Sequence, residues 1–510
     1  MTEEQSASPR RRTTPLQEQI CDRLRRLIRD GRMPAGSRAP SLRALATELG
    51  VSRGTVVAAY DRLIGEGYLA ARGTAGTFVA EPGATGATGA TGAAGSPTRR
   101  PRIATLPPLD RPRVPAEHAA VSHRLRTSPA GGHASGALPL QLGLPALDAF
   151  PRKVWARLSA HHARHSISLM KPDPAGLPRL REALVAYLHR SRGVEATARQ
   201  VFVVAGYEAG LSLTIQALGL GGDAAVIEDP GYPPVAMVLA RWGMTDCPVR
   251  VDADGLVTDH LKEAPDNARL AVVTPSHHSP LCMSLSLERR LALLQWANER
   301  QAWIVEDDYD GEYRYAGPPL PALKSLDRDD RVLYAGTLSK VLYPGLRLAY
   351  LVVPASLVDR FEQVLQPWPS AGCPSLLQEV AADFMERGHF ARHIKRMRTL
   401  YGVRRSWLEA ALAPYAAFGL RHQPQRGGLH LTIGLPDGAD DRDCASRARE
   451  AGLAVLALSS WCRGRTGLTG LLASFTNIGS PDAAHEYVAR LAAAVRPVGA
   501  FGPLPMRGSR

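Results

Sequence analysis

Six short apolar runs, at 201–204, 225–227, 270–273, 302–305, 332–334 and 346–353, constrain this chain more than any other feature. Between them lie stretches with apolar residues at helical spacing, at 211–218, 235–242 and 287–300. Strand-like and helix-like segments alternating at this interval predict an α/β unit built on a mainly parallel sheet. Ligands of such sheets bind beyond the carboxyl ends of the strands, so the residues that directly follow each run carry the chemical information.

Those residues form a coherent set. Gly206, Tyr207 and Glu208 follow the first run and open a helix, a candidate seat for phosphate. EDPGYPP (228–234) presents Tyr232 on a rigid turn, TPSHHSP (274–280) carries His277 and His278, and EDDYDGEYRY (306–315) carries Asp307, Asp308 and Tyr309. GTLSK (336–340) ends in Lys340, with Thr337 and Ser339 before it and Arg347 seven residues after it. Only six of the 62 basic residues are lysines, so a lysine in this setting invites a reason that arginine cannot meet. Lysine can shed its proton and attack a carbonyl to form a Schiff base. Together the groups suit pyridoxal 5'-phosphate. A carboxylate keeps the pyridine nitrogen protonated, and Tyr232 can stack on the ring. Tyr309 and a histidine, His277, can bond the phenolic oxygen, while Arg347, Thr337 and Ser339 can hold the phosphate.

Residues 13–80 read differently. Leu16, Ile20, Leu24, Leu27 and Ile28 recur at helical spacing up to Gly31 and Pro34. Ser41 is placed to cap a second helix that Gly50 ends, and Ser52 a third that turns Val56, Tyr60 and Leu63 inward. A Gly-Val-Ser turn between two short helices marks a helix-turn-helix. Tyr68-Leu69, a Gly-rich turn and 77–79 then predict a two-stranded wing. The net charge of +14 agrees, being concentrated in residues 1–80 (thirteen arginines against eight acids) and 98–129 (seven against two). A polyanion partner calls for that distribution. Ser52, Arg53 and Thr55 stand at the start of the third helix, where a recognition helix meets bases and phosphates, and Arg43 at the start of the second. The run PSLRALATELGVSRGTVVAAYDRLIGEGYL (40–69) closely resembles the winged helix-turn-helix of the GntR family of bacterial transcription regulators. That resemblance implies that Arg43, Arg53 and Thr55 touch double-stranded operator DNA, and that the 72–77 turn with Arg72 approaches the minor groove. Ala39 departs from it, standing where the family usually has leucine.

Residues 81–135 begin with a triplet repeat of small residues, GATGATGATGAAGSP (83–97), and continue Pro- and Arg-rich, which predicts a flexible tether. The large domain is expected over 136–498, with a smaller C-terminal α+β part. The order EDPGY, TPSH, EDDYD, GTLSK, LRLAY resembles fold-type I aminotransferases, and with the domain in front the whole chain resembles the MocR subfamily of GntR regulators. The resemblance implies Lys340 as the Schiff-base residue, Asp307 facing the pyridine nitrogen, Tyr309 at the phenolic oxygen and Tyr232 stacked on the ring. Asp308 then points away, as strand alternation predicts. It further implies a cytoplasmic, head-to-tail homodimer that regulates transcription and senses pyridoxal phosphate or its adduct with an amine or amino acid. The alternative is a working aminotransferase with an accessory DNA-binding domain.

Four departures bear on the choice. Leu281 and Cys282 replace a Thr-Gly, Glu208 replaces a small polar residue near the expected phosphate, and Pro234 replaces an arginine of GABA-responsive relatives. The late strand LLASFTNI (471–478) lacks the arginine with which aminotransferases clamp a substrate carboxylate, and Arg463 and Arg465 read as surface residues. No apolar run approaches the ~20 residues of a membrane span. Six scattered cysteines point to reduced thiols and against a zinc site.

Overall fold

The computed structural model of this chain describes residues 16–66, 68–73, 76–80, 137–165, 173–315, 320–366, 372–422, 425–464 and 467–496. These fall into two units. The tether expected at 81–135 and residues 13–15 of the first domain lie outside the described residues.

The small unit follows its capping signals. Helix Leu16–Arg29 precedes Leu42–Leu49, whose Ser41 cap accepts from the Ala44 amide and whose end at Gly50 is left-handed (φ 62°). Ser52 caps helix Arg53–Gly65 by accepting from the Thr55 amide at 3.1 Å. Ile20, Leu24, Leu45, Val56, Tyr60 and Leu63 close the core. Strands Leu69–Ala71 and Thr77–Val79 pair antiparallel as the wing. Ala39 is buried in that core, and its amide bonds the Thr77 carbonyl at 2.8 Å.

The large unit is organised by an eight-stranded sheet in the order Val201–Val204, Ala349–Val352, Val332–Thr337, Trp303–Asp308, Ala268–Val273, Ala224–Asp229, Thr245–Asp252, Gly255–Leu256. The five strands from Val332–Thr337 to Thr245–Asp252 run parallel. Ala349–Val352 is antiparallel to both its neighbours, and Gly255–Leu256 folds back on Thr245–Asp252. Burial on both faces explains why the central strands are unbroken apolar runs. Two predicted bounds change. Strand 346–353 shortens to Ala349–Val352, because Leu346 ends a 3-10 turn and Arg347 takes a left-handed backbone (φ 51°). The late strand is Leu471–Ser474, the middle of a three-stranded antiparallel sheet with His430–Ile433 and Leu456–Ala457. Helices His389–Leu412, Asp441–Glu450 and Pro481–Val495 pack around it as the smaller C-terminal part.

Candidate functional site

Sheet register gathers the predicted residues. Thr337, Ala349 and Val204 lie side by side, Asp308 lies beside Gly336, and Val273 beside Glu306. The segments holding Gly206, Tyr232, His277, Asp307, Tyr309 and Lys340 therefore all leave the sheet at one edge.

Alternation along Trp303–Asp308 sorts its acids. Glu306 is consumed by the Leu323 and Lys324 amides at 2.7 and 2.9 Å. Asp308 accepts from Arg192 at 2.5 Å and from the Tyr334 hydroxyl at 2.6 Å, all three buried. Asp307 faces the other way, onto a cavity it shares with Tyr207, Tyr232 and Arg463. Its carboxyl is raised well above the usual range by burial, then by Asp308, Glu228 and Asp310, and only Lys340 works against this. Among the described residues, no cation bonds it.

Lys340 donates to the Gly143 carbonyl at 3.2 Å. Burial lowers its basicity, with Asp307 and Asp310 opposing, which favours the neutral, nucleophilic amine. Gly143 is left-handed (φ 81°), and a Cβ there would lie 2.9 Å from the lysine Nζ. Tyr309 Oη meets His277 Nδ1 at 3.0 Å, and the same nitrogen is 3.1 Å from Asp310. Burial disfavours the His277 cation, but Asp310 and Cys282 outweigh it and hold the ring charged up to about 10.

The phosphate seat is a helix start beside an arginine. Gly206 (φ 106°) caps helix Tyr207–Leu218, and exposed Arg347 reaches over it to bond the Ala205 carbonyl at 3.0 Å. A Cβ on Gly206 would stand 2.7 Å from that guanidinium. Thr337 Oγ1 accepts from the Ser339 amide at 3.1 Å, which fixes the turn leading to Lys340. Tyr232 stands at the mouth, 36% exposed, with its ring 5.9 Å from Trp461 and 6.3 Å from Tyr207.

The departures resolve unequally. Glu208 is half-buried in the first turn of its helix, and the Tyr232 hydroxyl is raised by burial first, then by Asp307 and by Glu208. Cys282 takes the left-handed backbone (φ 66°) that glycine would suit, with its Sγ 3.3 Å from His430 Nε2. Burial opposes ionisation of that thiol, yet His430 and His277 bring it down to about 6. Arg463 is exposed, as expected, and also borders the cavity, where Asp246 holds it at 2.6 Å, while Arg465 lies outside the described residues. Gly143, Asp310 and His430 escaped sequence reading. Gly143 and His430 stand far along the chain from their partners, and only the EDDYDG pattern pointed at Asp310.

In the small unit, Ser52 and Thr55 share a hydroxyl contact of 2.8 Å at the head of helix Arg53–Gly65, beside exposed Arg53. Arg43 is exposed on the preceding helix. Arg72 lies over the Phe78 ring at 4.9 Å on the wing. Arg38, which the sequence did not single out, pairs with Phe78 and brings its guanidinium to the Gly76 turn.

The residues at the sheet edge fit pyridoxal phosphate. A buried carboxyl that no cation bonds among the described residues suits a protonated ring nitrogen, and the buried Tyr207 hydroxyl beside it suits a polar ligand. The Gly206 and Arg347 cradle suits a phosphate.

Comparison with known proteins bears on both units. Residues 140–466 match the family "Aminotransferase class I and II", and residues 16–79 match "Bacterial regulatory proteins, gntR family". The probable rhizopine catabolism regulatory protein MocR of Rhizobium meliloti is 35% identical over 96% of this chain and 96% of its own. The HTH-type pyridoxine biosynthesis transcriptional regulator PdxR of Corynebacterium glutamicum is 32% identical over 91% of this chain and 92% of its own. Among solved structures, the Pyrococcus horikoshii kynurenine aminotransferase in complex with PMP superposes with a TM-score of 0.65 at 25% identity. That superposition covers 74% of this chain and 94% of the other.

Proposed function

Because this chain belongs to the MocR subfamily of GntR-family transcription regulators, with a pyridoxal-phosphate-dependent aminotransferase fold behind its DNA-binding domain, we propose that its large unit is a sensor. The sensed species is pyridoxal phosphate, alone or joined to an amine or amino acid, and occupancy biases how the winged helices are presented to operator DNA. On this reading the chain works in the cytoplasm as a head-to-tail homodimer. The observation that carries it is a Lys340 of lowered basicity whose charge acts on the buried Asp307, which no cation bonds among the described residues.

When bound, pyridoxal phosphate supplies a carbonyl that condenses with amines and a ring that draws electrons. The chain's own residues do the rest. Lys340 offers the neutral amine. Asp307 holds a proton at the ring nitrogen, where its burial makes that shared proton favourable. Charged His277 donates to Tyr309, which fixes the Tyr309 hydroxyl toward the phenolic oxygen. Arg347, Thr337, Ser339 and the amides at Gly206 and Tyr207 take the phosphate, and Tyr232 covers the ring. In the small unit, Arg43, Ser52, Arg53, Thr55 and Arg72 meet the DNA. The late strand Leu471–Ser474 carries no arginine, which favours sensing over turnover.

A spectral titration tests this reading. Purified protein should gain a near-visible absorbance band with pyridoxal phosphate, the band should respond to an added amine, and Lys340→Ala should abolish it. An unchanged band in Lys340→Ala would remove the assignment. Multiple-turnover formation of a keto acid would replace sensing with catalysis.

A further inference from the structure

Helix His389–Leu412 carries six arginines and lysines against a single acid, Glu409, in its 24 residues. The packing divides the cations into two kinds. Arg404 and Arg405 are buried and ion-paired, to Asp148 at 2.5 Å and Glu409 at 2.7 Å. Arg392, Lys395, Arg396 and Arg398 are exposed, and none of them meets a carboxylate among the described residues. Arg392 bonds the Arg387 carbonyl and His389, and Arg398 bonds the Glu312 carbonyl, so both guanidiniums are held while their charge stays uncompensated. Elsewhere on this unit, exposed Arg199 and the half-buried Arg300 and Arg490 have acidic partners. The local field is positive enough that His389 is held below its ordinary value, by burial first and then by Arg392, Arg157 and Arg387.

Arg392, Lys395, Arg396 and Thr399 recur at three- and four-residue spacing, so they form one stripe along the helix. They line an open groove whose apolar members, Leu400 and Val403, lie at its C-terminal end. A groove for a protein partner would keep apolar side chains at its centre and charge at its rim. Here cations lead and a hydroxyl follows, the donors that contact phosphate oxygens in protein–DNA interfaces. The same chain carries a DNA-binding winged helix, which holds this surface at high effective concentration near a duplex.

We propose that this stripe is a second DNA-binding surface, one that grips phosphates without reading sequence. It rests on DNA binding by the chain. An unmodified protein that binds no duplex even at low salt would overturn both readings, which is a different result from a stripe that contributes nothing.

The test uses full-length protein loaded with pyridoxal phosphate and a random-sequence duplex, with affinity measured across a salt series. The triple variant Arg392→Ala, Lys395→Ala, Arg396→Ala should lower the magnitude of the log affinity against log salt slope by about 2 to 3, since each phosphate contact contributes about 0.9. Arg392→Lys with Arg396→Lys keeps the charges and should keep the slope. An unmoved cofactor band and thermal midpoint would show that the triple variant is folded. The same slope in the triple variant and the unmodified chain overturns the proposal. A variant that keeps the DNA slope but loses binding to polyglutamate also overturns it, and assigns the surface to an acidic protein.

Discussion

Glu228 is buried at the end of strand Ala224–Asp229 and accepts from the Thr274 amide at 3.1 Å and the Thr274 hydroxyl at 2.6 Å. His278 approaches it at 3.6 Å but gives it no charge, because burial and the neighbouring His277 drive that imidazole down to about 3. Burial raises the Glu228 carboxyl from 4.5 to about 7, with the Thr274 bonds opposing. An acid whose folded value is raised binds its proton more tightly in the native state. Its contribution is therefore fully present below pH 4.5 and is lost as pH rises toward 7. Glu228→Gln keeps an oxygen for the Thr274 amide and removes the titration, since the Thr274 hydroxyl can turn to accept. In cofactor-free protein, the stability of the variant relative to the unmodified chain should rise across that window, by on the order of 3 kcal/mol at most. Denaturant melts at several pH values measure it, and parallel profiles would show that Glu228 is not the buried acid described.

At the scale of the element, strand Trp303–Asp308 separates structural from functional charge through its two-residue period. Asp308→Asn removes the carboxylate that, among the described residues, meets buried Arg192, and should cost about 3–5 kcal/mol of stability. Asp307→Asn breaks no ion pair and replaces a buried acid already held in its neutral form, so stability should hold or rise while affinity for pyridoxal phosphate falls at least about tenfold, or 1.4 kcal/mol. Equal destabilisation by both changes, in thermal melts of cofactor-free protein, would contradict the two-faced strand. From sequence, the resemblance to fold-type I aminotransferases implied the first aspartate, and the same period then turned Asp308 away. Strand Thr245–Asp252 was not legible. Its residues TDCPVRVD mix charge with Pro248, and it can be a strand because it lies near the sheet's edge, where a short hairpin partner replaces a full ladder. Helix Tyr207–Leu218 starts four residues before its apolar pattern, because Gly206 and not a hydrophobic residue opens it. Contacts between distant segments, Lys340 with Gly143 or Cys282 with His430, had no local signal at all.

For the whole molecule, the question is how a site on the large unit's sheet edge reaches a winged helix with its own core. The two units close separate cores. Any influence of the cofactor on DNA binding must then be a difference in cofactor affinity between DNA-bound and DNA-free forms. Such coupling is reciprocal. If saturating pyridoxal phosphate changes operator affinity by some factor, saturating operator must change pyridoxal phosphate affinity by the same factor. Typical couplings of about 1–3 kcal/mol correspond to roughly 5- to 150-fold, well within the range of a titration. Arg53→Ala gives the matching control. If Arg53 reads a base, its loss should cost on the order of 1–3 kcal/mol of operator preference at fixed salt and leave the cofactor titration in free protein unchanged. Fluorescence titrations of each ligand with and without the other supply both factors. Factors of one in both titrations would show that the two sites are not linked through binding, and that the large unit does not act as the sensor.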